Sequence, residues 1–208
     1  KLNIDYEHIV IDNSSTDKTI EILKEICSRD KKVKVIINSK NYGHIRSPYY
    51  GLLQSSGDAC ILMAADFQDP VELISQYIEK WQKGSKIVLG EKITSEENSS
   101  VFLIRKLFYK FINKISESKL TQNTTGSGIF DKSILNKLRE IKDPYPYLRG
   151  LLNEIGEEIE TIKFNQPKRL SGKTKNNFFT LYDIGMLGIV KHSRVPLRFT
   201  ILIGFLSS

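Results

Sequence analysis

The central segment of the chain is Cys60-Ile61-Leu62-Met63-Ala64-Ala65-Asp66-Phe67-Gln68-Asp69-Pro70. Its apolar first half is typical of a buried strand, and a carboxylate, a carboxamide and a second carboxylate follow directly. Metal ions and phosphorylated ligands bind at this carboxyl edge of α/β sheets. Since Asp66 and Gln68 lie two residues apart, an extended segment would point both to one face. For Asp69, capping a helix that begins at Pro70 is an equally good interpretation.

Strand-like and helix-like runs alternate on both sides of this segment. Short apolar runs predict strands at 8–11, 33–37, 86–90 and 158–164, and helical periodicity appears at 45–56, 70–83, 101–115, 132–140 and 145–154. This alternation predicts a mostly parallel α/β sheet with helices on both faces. The segment 124–131 reads as a glycine-containing loop entering a short strand, in which Gly126 and Gly128 serve either a tight turn or the close approach of an acceptor.

The positive charge of the chain is concentrated at its carboxyl end. The net charge is +7, and residues 161–208 hold eight Lys or Arg side chains against Asp183 alone. Such a tail favours an anionic partner, which could be membrane headgroups, a phosphorylated ligand or nucleic acid. The tail has no nucleic-acid-binding motif, so we expect no nucleic-acid partner.

Several common kinds of site are excluded by what the sequence lacks. It has no Gly-x-Gly-x-x-Gly motif and no Walker loop. Two cysteines, Cys27 and Cys60, cannot build a zinc site; they resemble small buried hydrophobic residues and favour a reducing compartment. What remains is a set of carboxylates predicted at strand ends, with a basic cluster downstream. Acidic side chains that hold a divalent cation, together with Lys and Arg, suit the departure of a nucleoside diphosphate.

Five motifs, in this order and spacing, resemble the inverting nucleotide-sugar glycosyltransferases of family 2, which have the GT-A fold. They are Ile9-Val-Ile-Asp-Asn-Ser-Ser-Thr-Asp17, Asn41-Tyr-Gly43, Gly51-Leu52, Ser56-Gly-Asp58 and Ala65-Asp-Phe-Gln-Asp-Pro-Val-Glu72. Two further segments are similar to the polyprenyl-phosphate branch, the dolichyl-phosphate mannose synthase and bactoprenol glucosyltransferase group: Arg169-Leu-Ser-Gly-Lys-Thr-Lys175 and Pro196-Leu-Arg198. The resemblance covers almost the whole chain.

The resemblance implies a role for each matching residue. Asp12, Asn41 and Asp58 would bind the nucleotide, while Asp66 and Gln68 would be catalytic and would hold a divalent cation, Mg²⁺ or Mn²⁺. Phosphate charge would be neutralised by four basic side chains, of which Arg169 would also be catalytic: Arg105, Arg169, Lys173 and Lys175. The alternative for the last three is a solvated basic loop. The chain departs from the family pattern at Ala64 and Asn13, where some relatives have Asp, and it lacks the family's opening strand.

The implied function is transfer of a sugar, with inversion, from a UDP- or GDP-linked donor to a polyprenyl (undecaprenyl or dolichyl) phosphate at the cytoplasmic face of the membrane. The alternative is a catalytically silent GT-A domain that binds a nucleotide or recruits a partner. Whether the chain forms a homo-oligomer is left open by the sequence.

We expect a catalytic domain over 1–165, a basic loop and amphipathic interfacial helix over 166–194, and the start of a truncated membrane helix over 195–208. Residues 176–193 are apolar enough either to pack on the catalytic domain or to lie in the membrane interface, with Lys191, His192 and Arg194 at the headgroups.

Overall fold

The computed structural model describes residues 4–93, 124–167, 178–192 and 195–207. The strands in these ranges are β1 (His8–Asp12), β2 (Val33–Ile37), β3 (Ala59–Leu62), β4 (Ile87–Lys92), β5 (Thr124–Asp131) and β6 (Ile159–Phe164). The helices are α1 (Thr19–Arg29), α2 (Gly43–Leu53), α3 (Leu73–Gln82), α4 (Lys132–Glu140), α5 (Leu148–Ile155), α6 (Phe178–His192) and α7 (Val195–Leu206). The α/β class predicted from the alternation is confirmed.

The described strands form two sheets. One is the parallel pair β1 and β2, and the other has four strands in the order β3-β5-β4-β6. In the larger sheet β5 runs antiparallel to both of its neighbours, while β4 and β6 are parallel. Strands β3, β4 and β6 therefore share one direction, and β5 alone runs against them.

Strand β5 occupies the segment for which the sequence predicts a glycine-containing loop. Its residues pair with β3 on one side and β4 on the other, so this prediction is wrong. Neither Gly126 nor Gly128 lies in a turn. A Cβ at Gly128 would lie 2.3 Å from the Val88 carbonyl oxygen, so this glycine allows β5 to approach β4 closely.

The core lies on both faces of the four-stranded sheet. Side chains alternate along β4: Ile87 and Leu89 pack with α2, α4 and α5, whereas Val88 packs with Tyr77 of α3 on the opposite face. Side chains also alternate along β5: Phe130 packs on the same face as Ile87, and Ile129 packs on the same face as Val88. Helices therefore cover both faces of this sheet, as the sequence predicts.

The two sheets are tied together at the amino-terminal ends of β1 and β3. The carboxylate of Glu7, directly before β1, accepts hydrogen bonds from the N–H and the hydroxyl of Ser56, both at 2.7 Å. Its other oxygen lies 2.6 Å from the Lys34 ammonium. Lys34, followed by Ser56, holds the pKa of the Glu7 carboxyl at about 2. Helix α2 also packs against β1, because Gly51 of α2 lies close to the Ile11 side chain.

Helices α6 and α7 differ in how they contact the rest of the chain. The Lys191 ammonium of α6 pairs with the Asp143 carboxylate and donates to the Tyr145 carbonyl oxygen at 2.5 Å. The carboxyl end of α6 therefore contacts the segment between α4 and α5, and Lys191 takes part in this ion pair. Phe179 and Tyr182 are exposed, as are five apolar residues of α7: Ile201, Leu202, Ile203, Phe205 and Leu206. Within the described ranges, every helix is too short or too polar to cross a bilayer.

Candidate active site

Three asparagines join the loops that follow β1 and β2. The Asn13 side chain donates to Asn41 Oδ1 at 2.8 Å and to the Gly43 carbonyl oxygen at 3.3 Å. Its own oxygen accepts from the Tyr42 N–H at 2.9 Å and from Asn38 Nδ2 at 3.1 Å. Because β1 and β2 are parallel, both loops lie at the carboxyl edge of this sheet. Asn13 therefore fixes the position of Asn41.

Asp12 is the last residue of β1 and lies at the same edge. Its side chain is buried, with 4% of its surface exposed, and its Oδ2 accepts the Ser15 N–H at 3.0 Å. Ser14 between them has a positive φ of 65°, which the turn requires. Asp12 and Asn41 thus lie at the same edge of this sheet, and Asn13 joins the segments that carry them.

Asp66 and Gln68 lie on a tight turn after β3, and the extended segment expected from the sequence is wrong. The reason is local: Asp66 Oδ1 accepts the Gln68 N–H at 3.2 Å, and Phe67 between them has a left-handed φ of 58°. Asp66 and Gln68 remain half-buried, while Phe67 is exposed. The turn is closed by a hydrogen bond from the Gln68 backbone to the Asp66 carboxylate, so the two residues do not follow strand alternation.

Asp69 does not cap the following helix. Helix α3 begins at Leu73 and has no side-chain cap. The Asp69 carboxylate is instead buried and accepts a hydrogen bond from the Ser127 hydroxyl of β5. The sequence could not predict this contact because it joins residues 58 positions apart.

Asp58 is not brought to the edge that carries Asp12 and Asp66. It precedes β3, at the end where Glu7 and Ser56 meet. Its carboxylate is 84% exposed and lies 3.5 Å from the Lys132 ammonium. We therefore leave Asp58 out of the site. The four predicted phosphate-binding residues Arg105, Arg169, Lys173 and Lys175 lie outside the described residues.

Asp66 and Gln68 offer one carboxylate and one amide oxygen as donors for a metal ion. Within residues 4–93, 124–167, 178–192 and 195–207, no group of three or more His, Cys, Asp or Glu residues could hold a metal ion. Mg²⁺, however, is typically held by one or two carboxylates, with water and substrate phosphates completing its shell. The half-buried Asp66 carboxylate, on the same turn as Gln68, fits this mode of binding.

Three residues of this region received no role from the sequence. Asn13 was noted only as a departure from Asp, although the clustering of Asn13, Asn38 and Asn41 after two strands was a usable signal. Tyr77 of α3 is fully buried. Ser127 is a polar residue between two glycines in an otherwise buried strand, and only the strand pairing reveals where its hydroxyl points.

Comparison with known proteins finds matches along most of the chain. Residues 2–139 match the family model described as Glycosyl transferase family 2. The chain is 29% identical over 206 residues to the uncharacterized glycosyltransferase YkcC of Bacillus subtilis, covering 98% of this chain and 63% of that protein. It is 30% identical over 201 residues to a prophage bactoprenol glucosyl transferase homolog of Escherichia coli, covering 95% of this chain and 65% of that protein.

A solved structure of similar fold is the mannosyltransferase PcManGT from Pyrobaculum calidifontis in complex with GDP-Man and Mn²⁺. It has a TM-score of 0.48 and 15% sequence identity, and the match covers 79% of this chain and 49% of that one. The chain spans a little under two thirds of the length of the two curated relatives, at 63% and 65%.

Proposed function

The chain belongs to glycosyl transferase family 2, and from this premise we propose that it transfers a sugar from a nucleotide-sugar donor to a polyprenyl phosphate with inversion. The acceptor class is carried by one observation, the 30% identity to a bactoprenol glucosyl transferase homolog over 95% of this chain. The donor is a UDP- or GDP-linked sugar. The reaction takes place at the cytoplasmic face of the membrane, with the catalytic domain over residues 1–165.

The loops after β1 and β2 would bind one part of the donor, and the turn after β3 would bind the other. Asp12 and Asn41 would hold the nucleoside, because Asn13 fixes both of their loops. Asp66 and Gln68 would hold the divalent cation, Mg²⁺ or Mn²⁺, beside the diphosphate. When bound, the cation would offset the charge that develops on the departing nucleoside diphosphate.

The acceptor needs little activation from the protein. A phosphate monoester has a second pKa of about 6 and is mostly dianionic at neutral pH, so no strong general base is required. Attack on the anomeric carbon from the face opposite the leaving diphosphate inverts its configuration. The main task of the protein is therefore to bring two anions together. For this task we propose Arg105, Arg169, Lys173 and Lys175, of which Arg169 would also be catalytic.

The function is tested by sugar transfer from labelled UDP- and GDP-sugars to polyprenyl phosphate in detergent, with Mg²⁺ or Mn²⁺. We expect Asp66→Asn to reduce the rate at least about 100-fold, because the carboxylate that holds the cation is lost. The matched control is Asp30→Asn. The Asp30 carboxylate also accepts the N–H of the residue two positions on, but it lies before β2, at the amino edge.

An unchanged rate in Asp66→Asn would reject the metal assignment. Nucleotide binding without transfer to any lipid phosphate would instead support the catalytically silent alternative.

A further inference from the structure

A buried polar cluster lies beneath the turn that carries Asp66 and Gln68. We call Asp69, Tyr77 and Ser127 the Asp69 cluster. Their exposed fractions are 6%, 0% and 4%. The cluster joins three elements, because Asp69 belongs to the turn, Tyr77 to α3 and Ser127 to β5. The Ser127 hydroxyl donates to Asp69 Oδ2, so the turn is attached to the central sheet at the residue directly after Gln68.

Two atoms of the cluster lack a hydrogen-bond partner among the described residues. They are Asp69 Oδ1 and the Tyr77 hydroxyl, and both are buried. Burial, and then the charge of Asp69, raise the pKa of the Tyr77 phenol well above its ordinary value, so the phenol keeps its proton. One unsatisfied atom is therefore an acceptor and the other a donor. Leaving a buried polar atom unpaired is unfavourable, and one bound water would satisfy both groups by accepting from the Tyr77 hydroxyl and donating to Asp69 Oδ1.

The chain leaves room for this arrangement at Gly90 of β4. A Cβ at Gly90 would lie 2.7 Å from the Tyr77 hydroxyl oxygen and 3.0 Å from Thr125 Oγ1. The Tyr77 hydroxyl thus takes the space that a side chain would need. Thr125 Oγ1 in turn donates to the Gly90 carbonyl oxygen at 3.3 Å and accepts the Ser127 N–H at 3.3 Å. The backbone of Ser127, from which its hydroxyl extends to Asp69, is therefore fixed by a side chain of its own strand.

We propose that Asp69 is a positioning residue for the cation and diphosphate site, fixing Asp66 and Gln68 through its contact with Ser127 and its neighbour Tyr77. This inference rests on the proposed function. The turn has a left-handed residue at Phe67 and an exposed tip, so it needs an anchor at its base. Asp69 supplies the anchor at a point where its carboxylate is shielded from solvent. Removing such an outer partner typically weakens metal binding about 10-fold to 100-fold.

The test measures binding of UDP and GDP by calorimetry, with Mn²⁺ and with EDTA. For each nucleotide, the readout is the affinity measured with Mn²⁺ divided by the affinity measured with EDTA. A change in overall stability alone would not alter this ratio. We expect Ser127→Ala, which removes only the hydroxyl, and Asp69→Asn each to lower this ratio about tenfold. The matched control is Ser75→Ala. The Ser75 hydroxyl also has a single oxygen acceptor, the Glu72 carbonyl, but it is exposed on α3.

Each outcome of this test implies a different role for the Asp69 cluster. A lower ratio in both variants, with the ratio of Ser75→Ala unchanged, supports the positioning role. An unchanged ratio in folded variants overturns this inference and leaves the proposed function intact. Loss of folding in both variants assigns the cluster to stability alone and also overturns it. Absence of Mn²⁺-dependent binding in the wild type rejects the proposed donor site together with this inference.

Discussion

Gly128 has no room for a side chain because the backbone of β4 fills the space. A Cβ there would lie 2.3 Å from the Val88 carbonyl oxygen and 3.1 Å from Leu89 Cα. Backbone atoms cannot rotate away, so Gly128→Ala should push β5 from β4 and lower the free energy of unfolding by about 3 kcal/mol. Urea unfolding followed by circular dichroism measures this change.

The control for this substitution lies two residues away in the same strand. A Cβ at Gly126 would meet no atom within 4 Å. Gly126→Ala should therefore be neutral, or should stabilise by up to about 1 kcal/mol, since it restricts the unfolded chain. Equal destabilisation by both substitutions would contradict the close approach of β5 to β4.

The local sequence around Gly126 and Gly128 does not show that they lie in a paired strand. Glycine in a polar segment is typical of turns, and nothing local separates a turn from two strands in close contact. The difference lies in the pairing of Gly128 with Leu62 on one side and Leu89 on the other. Those partners are 66 and 39 positions away, so their contact with Gly128 is not encoded in local periodicity.

The loops after β1 and β2 depend on an amide at position 13. In Asn13→Asp a carboxylate could still accept from the Tyr42 N–H, but it could not donate to Asn41 Oδ1 or to the Gly43 carbonyl oxygen. It would also place negative charge against both oxygens. We expect affinity for the nucleotide to fall about tenfold and amide exchange at Tyr42 and Gly43 to become faster.

Asn153→Asp serves as the matched control for Asn13→Asp. The Asn153 amide also donates to a backbone carbonyl, that of Arg149, and it is similarly part-buried, but it lies on α5. Exchange in the 38–43 loop should not change in this variant. Unaltered exchange and unaltered nucleotide affinity in Asn13→Asp would show that the loop does not need the amide.

Elements with local signals were predicted well. The prediction for β2, residues 33–37, and that for α4, residues 132–140, agree with the structure to the residue. In α4 the reason is clear: the Asp131 carboxylate accepts the Ser133 N–H at 2.8 Å, and three apolar positions then face the core. The membership in family 2 likewise confirms the GT-A class implied by the motifs. The geometry of the 63–70 turn was missed because it depends on a side-chain bond from Asp66 and on Ser127 of a distant strand.

The two sheets of the molecule are connected through the Glu7 carboxylate, and this connection should weaken in acid. Its folded pKa of about 2 lies below the value of 4.5 for a free Glu. The stabilisation is therefore complete above about pH 4.5 and is lost as the pH falls towards 2. Glu7→Gln should lower the free energy of unfolding by about 2 kcal/mol at pH 7, and the difference from the wild type should shrink between pH 4.5 and 3.

Unfolding in urea at pH 7, 5, 4 and 3 measures this dependence. Glu25→Gln is a suitable control, because Glu25 forms an exposed ion pair with Arg29 within α1. Its difference from the wild type should stay small at every pH. A Glu7→Gln difference that is constant from pH 7 to 3 would contradict a role for the Glu7 charge.

No hydrogen-bonded ladder joins β1 to β3 within the described ranges, so we expect the pair β1 and β2 to pivot slightly about Glu7 and Ser56. Asp12 lies five residues after Glu7, a distance of about 16 Å along the strand. A swing of roughly 5° would then displace Asp12 by about 1.4 Å relative to the Asp66 turn, which is enough to impair catalysis. A donor that binds Asp12 and Asp66 together would therefore act as a brace, stiffening the molecule at the end opposite its pivot.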